Sequence, residues 1–540
     1  MPLSDRLWPS REITQAPLWC SVDLRDGNQA LPVPMNVSQK LELWNTLLAC
    51  GFKEIEVGFP SASNTEFRFN RCLIEEKRIP SDVSIQVLVQ CREDLVDRTF
   101  ASLVGVQNAI IHLYNSTSPA QREIVFGKSK REIVEIAVRG ATWIKERLSV
   151  LKGSNIRLQY SPESFSATEV EFAKDIAEAV MSVWQPTPER KMILNLPCTV
   201  EVAMPNIYAD QVEWIGRNIR NRDSLVLSVH THNDRGTGVA STELALLAGA
   251  ERVEGTLFGN GERTGNLDII TLALNLYTQG IDPQLNIFDL NKIKDVYERT
   301  TGMSVPARHP YSGELVFTAF SGSHQDAIRK GLADWQEVKR SEWIVPYLPI
   351  DPSDIGREYR EVIRVNSQSG KGGVAYLLES EFGLDIPKDM QREFGPIVND
   401  WVDGLGREVH AVELRQKFWR EYIERDTPLS LIEFHSNGNR EKSKNFTCKG
   451  KVRRDRTEVL FEGKGNGPIA AFVDALIKVG IPTFSVIDYR EHALGEGAEA
   501  SAIAYIKIRS DDGTMRWGAG VDANIEIASI RAALSALNRL

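Results

Sequence analysis

The feature that most constrains this chain is one pattern repeated from residue 17 to about 280: a short apolar run, then a stretch with helical periodicity. The runs are Leu18–Val22, Glu54–Gly58, Ser84–Val89, Asn108–Leu113, Ile156–Tyr160, Met192–Leu196, Leu225–Val229 and Arg252–Thr256. Amphipathic stretches such as Ser38–Cys50 and Lys130–Leu148 fill the gaps. Strands joined by helices pair in parallel, because each crossover returns the chain to the same end of the sheet. Eight such units over about 265 residues suit a closed α/β structure, a (β/α)8 TIM barrel. The alternative, an open doubly wound sheet, would carry GxGxxG after its first strand. Here that position reads Asp23-Leu-Arg-Asp-Gly-Asn28, which favours the barrel.

After residue 300 the rhythm changes. Turn-rich polar stretches include Val345-Pro-Tyr-Leu-Pro-Ile-Asp-Pro352 and Arg364-Val-Asn-Ser-Gln-Ser-Gly-Lys-Gly-Gly373, whose Gly370-Lys-Gly-Gly373 end reads as a flexible or backbone-approach loop. Helices are expected over about 387–403 and 408–424, followed by a polar break, His435-Ser-Asn-Gly-Asn-Arg440. The last hundred residues hold a weak internal repeat. Val459–Gly465 leads into a helix over Ile469–Val479, and Thr514–Gly520 leads into one over Ile525–Leu537. Both units read as strand, Gly-x-Gly turn and helix, which suggests one α+β module of pseudo-twofold symmetry. The expected domains are therefore a barrel at 1–300, linker subdomains at 301–432 and a C-terminal module at 433–540.

Charge and composition exclude several classes. The 64 basic and 73 acidic residues leave a net charge of −9, unlike the basic excess of a nucleic-acid binder. No apolar run approaches the roughly 18 residues that span a bilayer, and MPLSDRLWPSREITQ lacks the apolar core of a signal peptide. The six cysteines form no CxxC pair, so buried free thiols and a reducing, cytoplasmic location are expected, with no membrane or nucleic-acid partner.

In a barrel of this kind the chemistry sits at the C-terminal strand ends. The polar groups expected there are Arg25 and Asp26 after strand 1, His112 and Asn115 on strand 4, Ser161 and Glu163 on strand 5, and Thr199 after strand 6. Strand 7 brings His230-Thr-His232, and strand 8 runs into Gly259-Asn-Gly-Glu-Arg-Thr-Gly-Asn266. Side chains repeat every two residues along a strand, so both imidazoles face the barrel mouth. Closure makes strands 1 and 8 neighbours, with strand 7 one step further round. Asp26 can then complete a two-histidine, one-carboxylate set, with Asn266 adding an amide oxygen. A hydrogen-bonded structural pair is the bland alternative for His-x-His alone. Arg25 could polarise a substrate oxygen, or simply brace the rim. Glu163 could act as a base, and His112, Ser161 and Thr199 could hold a carboxylate. Gly127-Lys-Ser129 only mimics a phosphate loop, because the required upstream glycine position is Glu123.

Leu24-Arg-Asp-Gly-Asn-Gln29, His230-Thr-His-Asn-Asp234 and Gly259–Asn266 resemble the acyl-CoA-condensing, metal-dependent barrel synthases. His112-Leu-Tyr-Asn-Ser-Thr-Ser118, Tyr160-Ser-Pro-Glu-Ser-Phe165, Asn195-Leu-Pro-Cys-Thr199 and Ser321-Gly-Ser-His-Gln-Asp326 narrow the likeness to the 2-isopropylmalate synthases, as do the stretches at 345–351 and 364–373. Asp488-Tyr-Arg-Glu-His-Ala-Leu494 extends it to the C-terminal leucine-sensing module, although Arg490 and Gly495-Glu-Gly-Ala-Glu499 depart from the family pattern, as does Cys198. The resemblance implies an acyltransferase of leucine biosynthesis. It would condense acetyl-CoA with 2-oxo-3-methylbutanoate, hydrolyse the thioester, and be inhibited by leucine. It also implies a divalent metal (Zn, Mg or Mn) on Asp26, His230, His232 and Asn266, room for activation by a monovalent cation, and a homodimer. His112, Ser161 and Thr199 would bind substrate. Arg25, Glu163, Glu262, His324 and Tyr347 would be catalytic, with the base left open among the last four. Homocitrate or citramalate synthase, a barrel aldolase and a catalytically dead sensor remain as alternatives.

Overall fold

The computed structural model describes residues 3–338, 340, 342–361, 371–405, 409–438, 446–495 and 500–540. Residues Arg364–Gly370 of the polar segment and Glu496–Glu499 of the sensing loop lie outside them. The chain divides into two compact units, Met1–Phe317 with Pro349–Tyr359, and Thr318–Leu348 with Arg360–Leu540. The stretch 301–432, expected as linker, is thus shared between them.

The first unit is a closed barrel of eight parallel strands in sequential order, with β1 (Leu18–Ser21), β2 (Glu54–Gly58), β3 (Ser84–Gln90), β4 (Asn108–Ser116), β5 (Asn155–Glu163), β6 (Met192–Cys198), β7 (Leu225–Thr231) and β8 (Arg252–Gly255). Closure comes from β8 pairing with β1, Leu18 opposite Arg252. Helices pack outside, each started by local chemistry. Asn36 accepts from the Gln39 N–H and begins Val37–Ala49; Ser129 and Glu132 form a reciprocal cap on Lys130–Arg147. Gly127-Lys-Ser129 is thus a junction between helices, Gly127 ending the turn Gln121–Phe126 and Ser129 capping the next helix.

The barrel interior is unusual in being polar where apolar layers are the norm. Gln159 on β5 donates to Glu254 on β8 at 2.7 Å, and Gln86 on β3 donates to the same carboxylate at 3.0 Å. These strands are not neighbours, so the side chains meet across the inside of the barrel. Arg252, with no exposed surface, donates to Glu54 (2.6 Å), Ser228 (2.8 Å), Glu254 (2.8 Å) and Gln86 (2.9 Å). Such a network is tolerable because its charges are paired and multiply hydrogen-bonded.

In the second unit β9 (Thr318–Ala319) pairs with β10 (Arg360–Glu361). Helices Gly322–Val338, Lys371–Phe382, Lys388–Leu405 and Ala411–Phe418 follow the chain, and two antiparallel sheets come next. The first is β11 (Leu429–Gly438), β12 (Phe446–Arg454) and β13 (Thr457–Gly465), followed by helix Pro468–Lys478. The second is β14 (Phe484–Leu494), β15 (Ser501–Ser510) and β16 (Met515–Asp522), followed by helix Ile525–Leu537. The repeat is therefore three strands and a helix, twice, of which only the last strand and helix of each were visible as pattern.

Three expectations are corrected here. His435–Gly438 is not a break but the end of β11, Asn439 and Arg440 lying outside the described residues. Lys371–Gly373 opens a helix rather than closing a loop. Finally, Gly463-x-Gly465 and Gly518-x-Gly520 are strand residues, not turns. A Cβ on Gly463 would stand 2.1 Å from the Ala471 carbonyl oxygen, and one on Gly518 2.3 Å from that of Ala532. Glycine is needed there so that each helix can lie directly on its sheet. The helix Lys388–Leu405 and its neighbours share a core with Ile503, Tyr505, Trp517 and Ala519 of β15 and β16.

Candidate active site

The C-terminal rim of the barrel encloses a pocket of about 200 Å³. Arg25, Asp26, His112, Ser161, Glu163, Thr199, His230, His232 and Glu262 all line it, with Leu88 and Pro197 as apolar walls. The local geometry differs from the strand reading in detail. Arg25 and Asp26 lie on a single wide helical turn, Asp23–Gly27, beyond β1. His232 sits one residue past β7, in a bridge to Asn266. His112 lies in the middle of β4 and reaches the pocket from below.

Asp26, His230 and His232 are buried, and one potential ligand atom from each falls within 4.8 Å of the others. The Nε2 atoms of His230 and His232 stand 3.2 and 3.7 Å from the same Asp26 Oδ2. Asn266 is buried beside them, and both atoms of its amide lack a protein partner, as does Asp26 Oδ2 as a hydrogen-bond acceptor. The 259–266 loop creates this position. Gly265 has φ +99, and a Cβ on Gly261 would meet the Asn266 amide nitrogen at 2.7 Å. Two imidazoles, a carboxylate and an amide oxygen without other partners fit a divalent ion.

The electrostatics agree. Asp26, Glu54, Glu56 and Glu254 pair with three guanidiniums, Arg25, Arg157 and Arg252, and His230 stands between Asp26 and Glu254 as a further positive partner, a role that a cation bound at Asp26 would take over. Burial alone would raise the Asp26 carboxyl pKa, but Arg25 and His230 hold it well below the usual range. Burial likewise opposes a proton on His230, yet Asp26 and Glu254 lift it to about 9. His232 falls to about 4, through burial and then the charge of His230. The two histidines are thus electrostatically distinct.

Around this cluster every functional group is braced. Arg25 donates Nε to Glu56 at 2.6 Å and Nη1 to Asp26 at 2.8 Å. His112 bridges Glu56 and Ser161, at 2.7 Å each. Ser116 donates to Glu163, and the Thr199 hydroxyl accepts the Ser164 N–H at 2.9 Å. Gln29 donates to Glu262 at 3.4 Å. Cys198 is buried, and burial pushes its thiol up to about 12. The other buried cysteines, Cys20, Cys50 and Cys448, are also free. His324 and Tyr347 lie in the second unit, stacked on each other with ring centroids 4.1 Å apart, Tyr347 in the left-handed region at φ 64.

Glu56, Glu254, Arg252, Gln86 and Asn195 were not singled out from the sequence. A signal existed: Glu54-Ile-Glu56 and Arg252-Val-Glu254 alternate charge with apolar residues inside strands of a barrel. That period turns the charges inward.

Fold and rim together define a metal-dependent barrel enzyme. A family model described as HMGL-like matches residues 16–296, and that family depends on a divalent metal. Models described as Alpha-isopropylmalate synthase, post-catalytic domain-like, and LeuA allosteric (dimerisation) domain match 314–379 and 408–540. The chain is 53% identical to a 2-isopropylmalate synthase of Parafrankia sp. (strain EAN1pec), over 99% of this chain and 95% of that one. It is 54% identical to one from Pseudomonas savastanoi pv. phaseolicola, with the same coverage. A solved hydroxymethylglutaryl-CoA lyase from Pseudomonas aeruginosa is similar at 18% identity and a TM-score of 0.45, covering 55% of this chain and 97% of that one. The chain belongs to the 2-isopropylmalate synthase family. It is an acyltransferase of leucine biosynthesis with a C-terminal regulatory domain. Among the described residues no helix is long and apolar enough to cross a membrane.

Proposed function

We propose that the barrel rim condenses acetyl-CoA with 2-oxo-3-methylbutanoate and releases 2-isopropylmalate and CoA. The observation that carries this is the meeting of Arg25, the Asp26–His230–His232 cluster and a small pocket with apolar walls on one rim. In this reading Asp26, His230, His232 and Asn266 hold the ion. Two imidazoles favour Zn²⁺ or Mn²⁺ over Mg²⁺. When bound, it supplies Lewis-acid polarisation of the oxoacid's oxygens. Ser161, His112 and Thr199 orient the oxoacid carboxylate, and Leu88 and Pro197 receive the isopropyl group. The acetyl methyl group gives up a proton, and its carbon bonds to the ketone carbon. The oxygen that gains charge lies beside Arg25, whose guanidinium is already fixed by Glu56 and Asp26 and needs little reorganisation. Water then displaces the CoA thiol. We assign the proton transfers to Glu163, Glu262 and the stacked His324–Tyr347 pair. A dicarboxylate substrate is disfavoured, because Arg263 at the pocket edge is committed to Asp234 at 2.7 Å.

A thiol-release assay over a panel of 2-oxoacids tests this reading: the branched five-carbon acid should give the highest kcat/KM. Preference for 2-oxoglutarate would overturn it. Leu88→Ala should then shift preference toward the acid one methylene longer by about tenfold, within the ~1–3 kcal/mol that an apolar pocket discriminates. An unchanged ratio would remove Leu88 from the substrate wall.

We further propose a homodimer in which the module at 433–540 binds leucine and lowers turnover. Gly463, Gly465, Gly518 and Gly520 lie within paired strands rather than in turns, so the leucine carboxylate is met elsewhere in the module. Millimolar leucine should inhibit the full chain, and indifference to it would refute the proposal. Truncation at residue 430 is a poor test. It strips Ile503, Tyr505, Trp517 and Ala519 from the core of the preceding helices, and should abolish cooperative melting of the second unit.

A further inference from the structure

Glu254 is the most constrained carboxylate in the barrel. It has no exposed surface, and on β8 it stands directly opposite His230 of β7. Its Oε2 lies 2.9 Å from His230 Nδ1, while its Oε1 accepts from Arg252 (2.8 Å), Gln159 (2.7 Å) and Gln86 (3.0 Å). His230 is therefore gripped from behind at Nδ1, and its Nε2 is turned to Asp26 and His232. An imidazole with Nδ1–H donated to a carboxylate has its lone pair on Nε2 and its ring plane fixed.

We propose that Glu254 is the positioning residue of the metal centre: it selects the Nδ1–H tautomer of His230 and aims Nε2 at the ion. Three donors hold Oε1, so the carboxylate cannot swing away from the histidine. Glu254 does not line the rim pocket and is not assigned contact with substrate. This inference rests on the metal assignment above, and a ligand control separates the two.

The test uses the full chain stripped of metal and titrated with Co²⁺, following the d–d absorption and competition with a chelator. Wild type should bind one tightly held ion in the barrel, and His230→Ala should lose it. Failure of either control overturns the metal assignment, and this inference with it. Glu254→Gln should weaken Co²⁺ binding about 10–100-fold, the usual cost of removing a partner of a metal-bound histidine, and change the absorption spectrum. Ser228→Ala removes another partner of Arg252 but none of His230, and should leave both unchanged. Should the Gln variant not fold, Glu254→Asp keeps the charge for Arg252 but draws the carboxylate back by one methylene, and the same weakening and spectral change are expected. Wild-type affinity and spectrum in the folded Gln variant, or in the Asp variant if Gln does not fold, would overturn the proposal. Equal weakening by Ser228→Ala would do so too, because the effect would then be general loosening of the barrel.

Discussion

Replacing His230 by alanine is expected to lower turnover by about a thousandfold or more, while the barrel still folds. The ion is worth several kcal/mol of charge stabilisation in the condensation, and each 1.36 kcal/mol is a factor of ten in rate. The side chain stands at the mouth of the barrel rather than among its apolar residues, and what it leaves behind is a polar pocket that water can enter. The paired measurements are steady-state turnover with metal in excess and metal content after gel filtration. Turnover within tenfold of wild type, with the metal content after gel filtration unchanged, would remove His230 from the centre.

The second large effect is on stability. Arg252→Met should destabilise the first unit by about 3–5 kcal/mol, the usual cost of breaking a buried ion pair and stranding its carboxylates. The guanidinium has no exposed surface and serves Glu54 and Glu254 together. Burial disfavours its charge, but the carboxylates outweigh burial and hold its pKa above the ordinary value, so it stays charged at every working pH. Calorimetry should show the barrel's transition lowered by roughly 10 °C. Arg157→Met, at the wetter end of the same chain of charges, should cost far less, about 1 kcal/mol or below, because its side chain is partly exposed. Equal shifts for the two variants would mean that the interior network is not the desolvated system its geometry describes.

These effects differ in how far they could have been read from the chain alone. His230 and His232 stood out because a two-residue spacing in extended chain puts both side chains on one face, and Asp26 followed once closure made strands 1 and 8 neighbours. Arg252 and Glu254 carry the same period-two signal. Charged residues in a buried strand remain ambiguous, however, until their partners are known. Those partners, Glu54, Gln86, Gln159 and Ser228, come from strands far apart in sequence.

The sequence by itself determined the strand-and-helix alternation, the barrel it closes into, and the approach of Arg25, Asp26, His230 and His232 to one rim. Each of these depends on local periodicity and on the order of elements along the chain. Only the tertiary structure decided who pairs with whom across the barrel. The stagger of eight strands sets that, and no single strand encodes it. It also decided what the paired glycines do. A glycine can serve a turn or a close approach equally well, and only the helix lying 2–3 Å from where a Cβ would be separates the two.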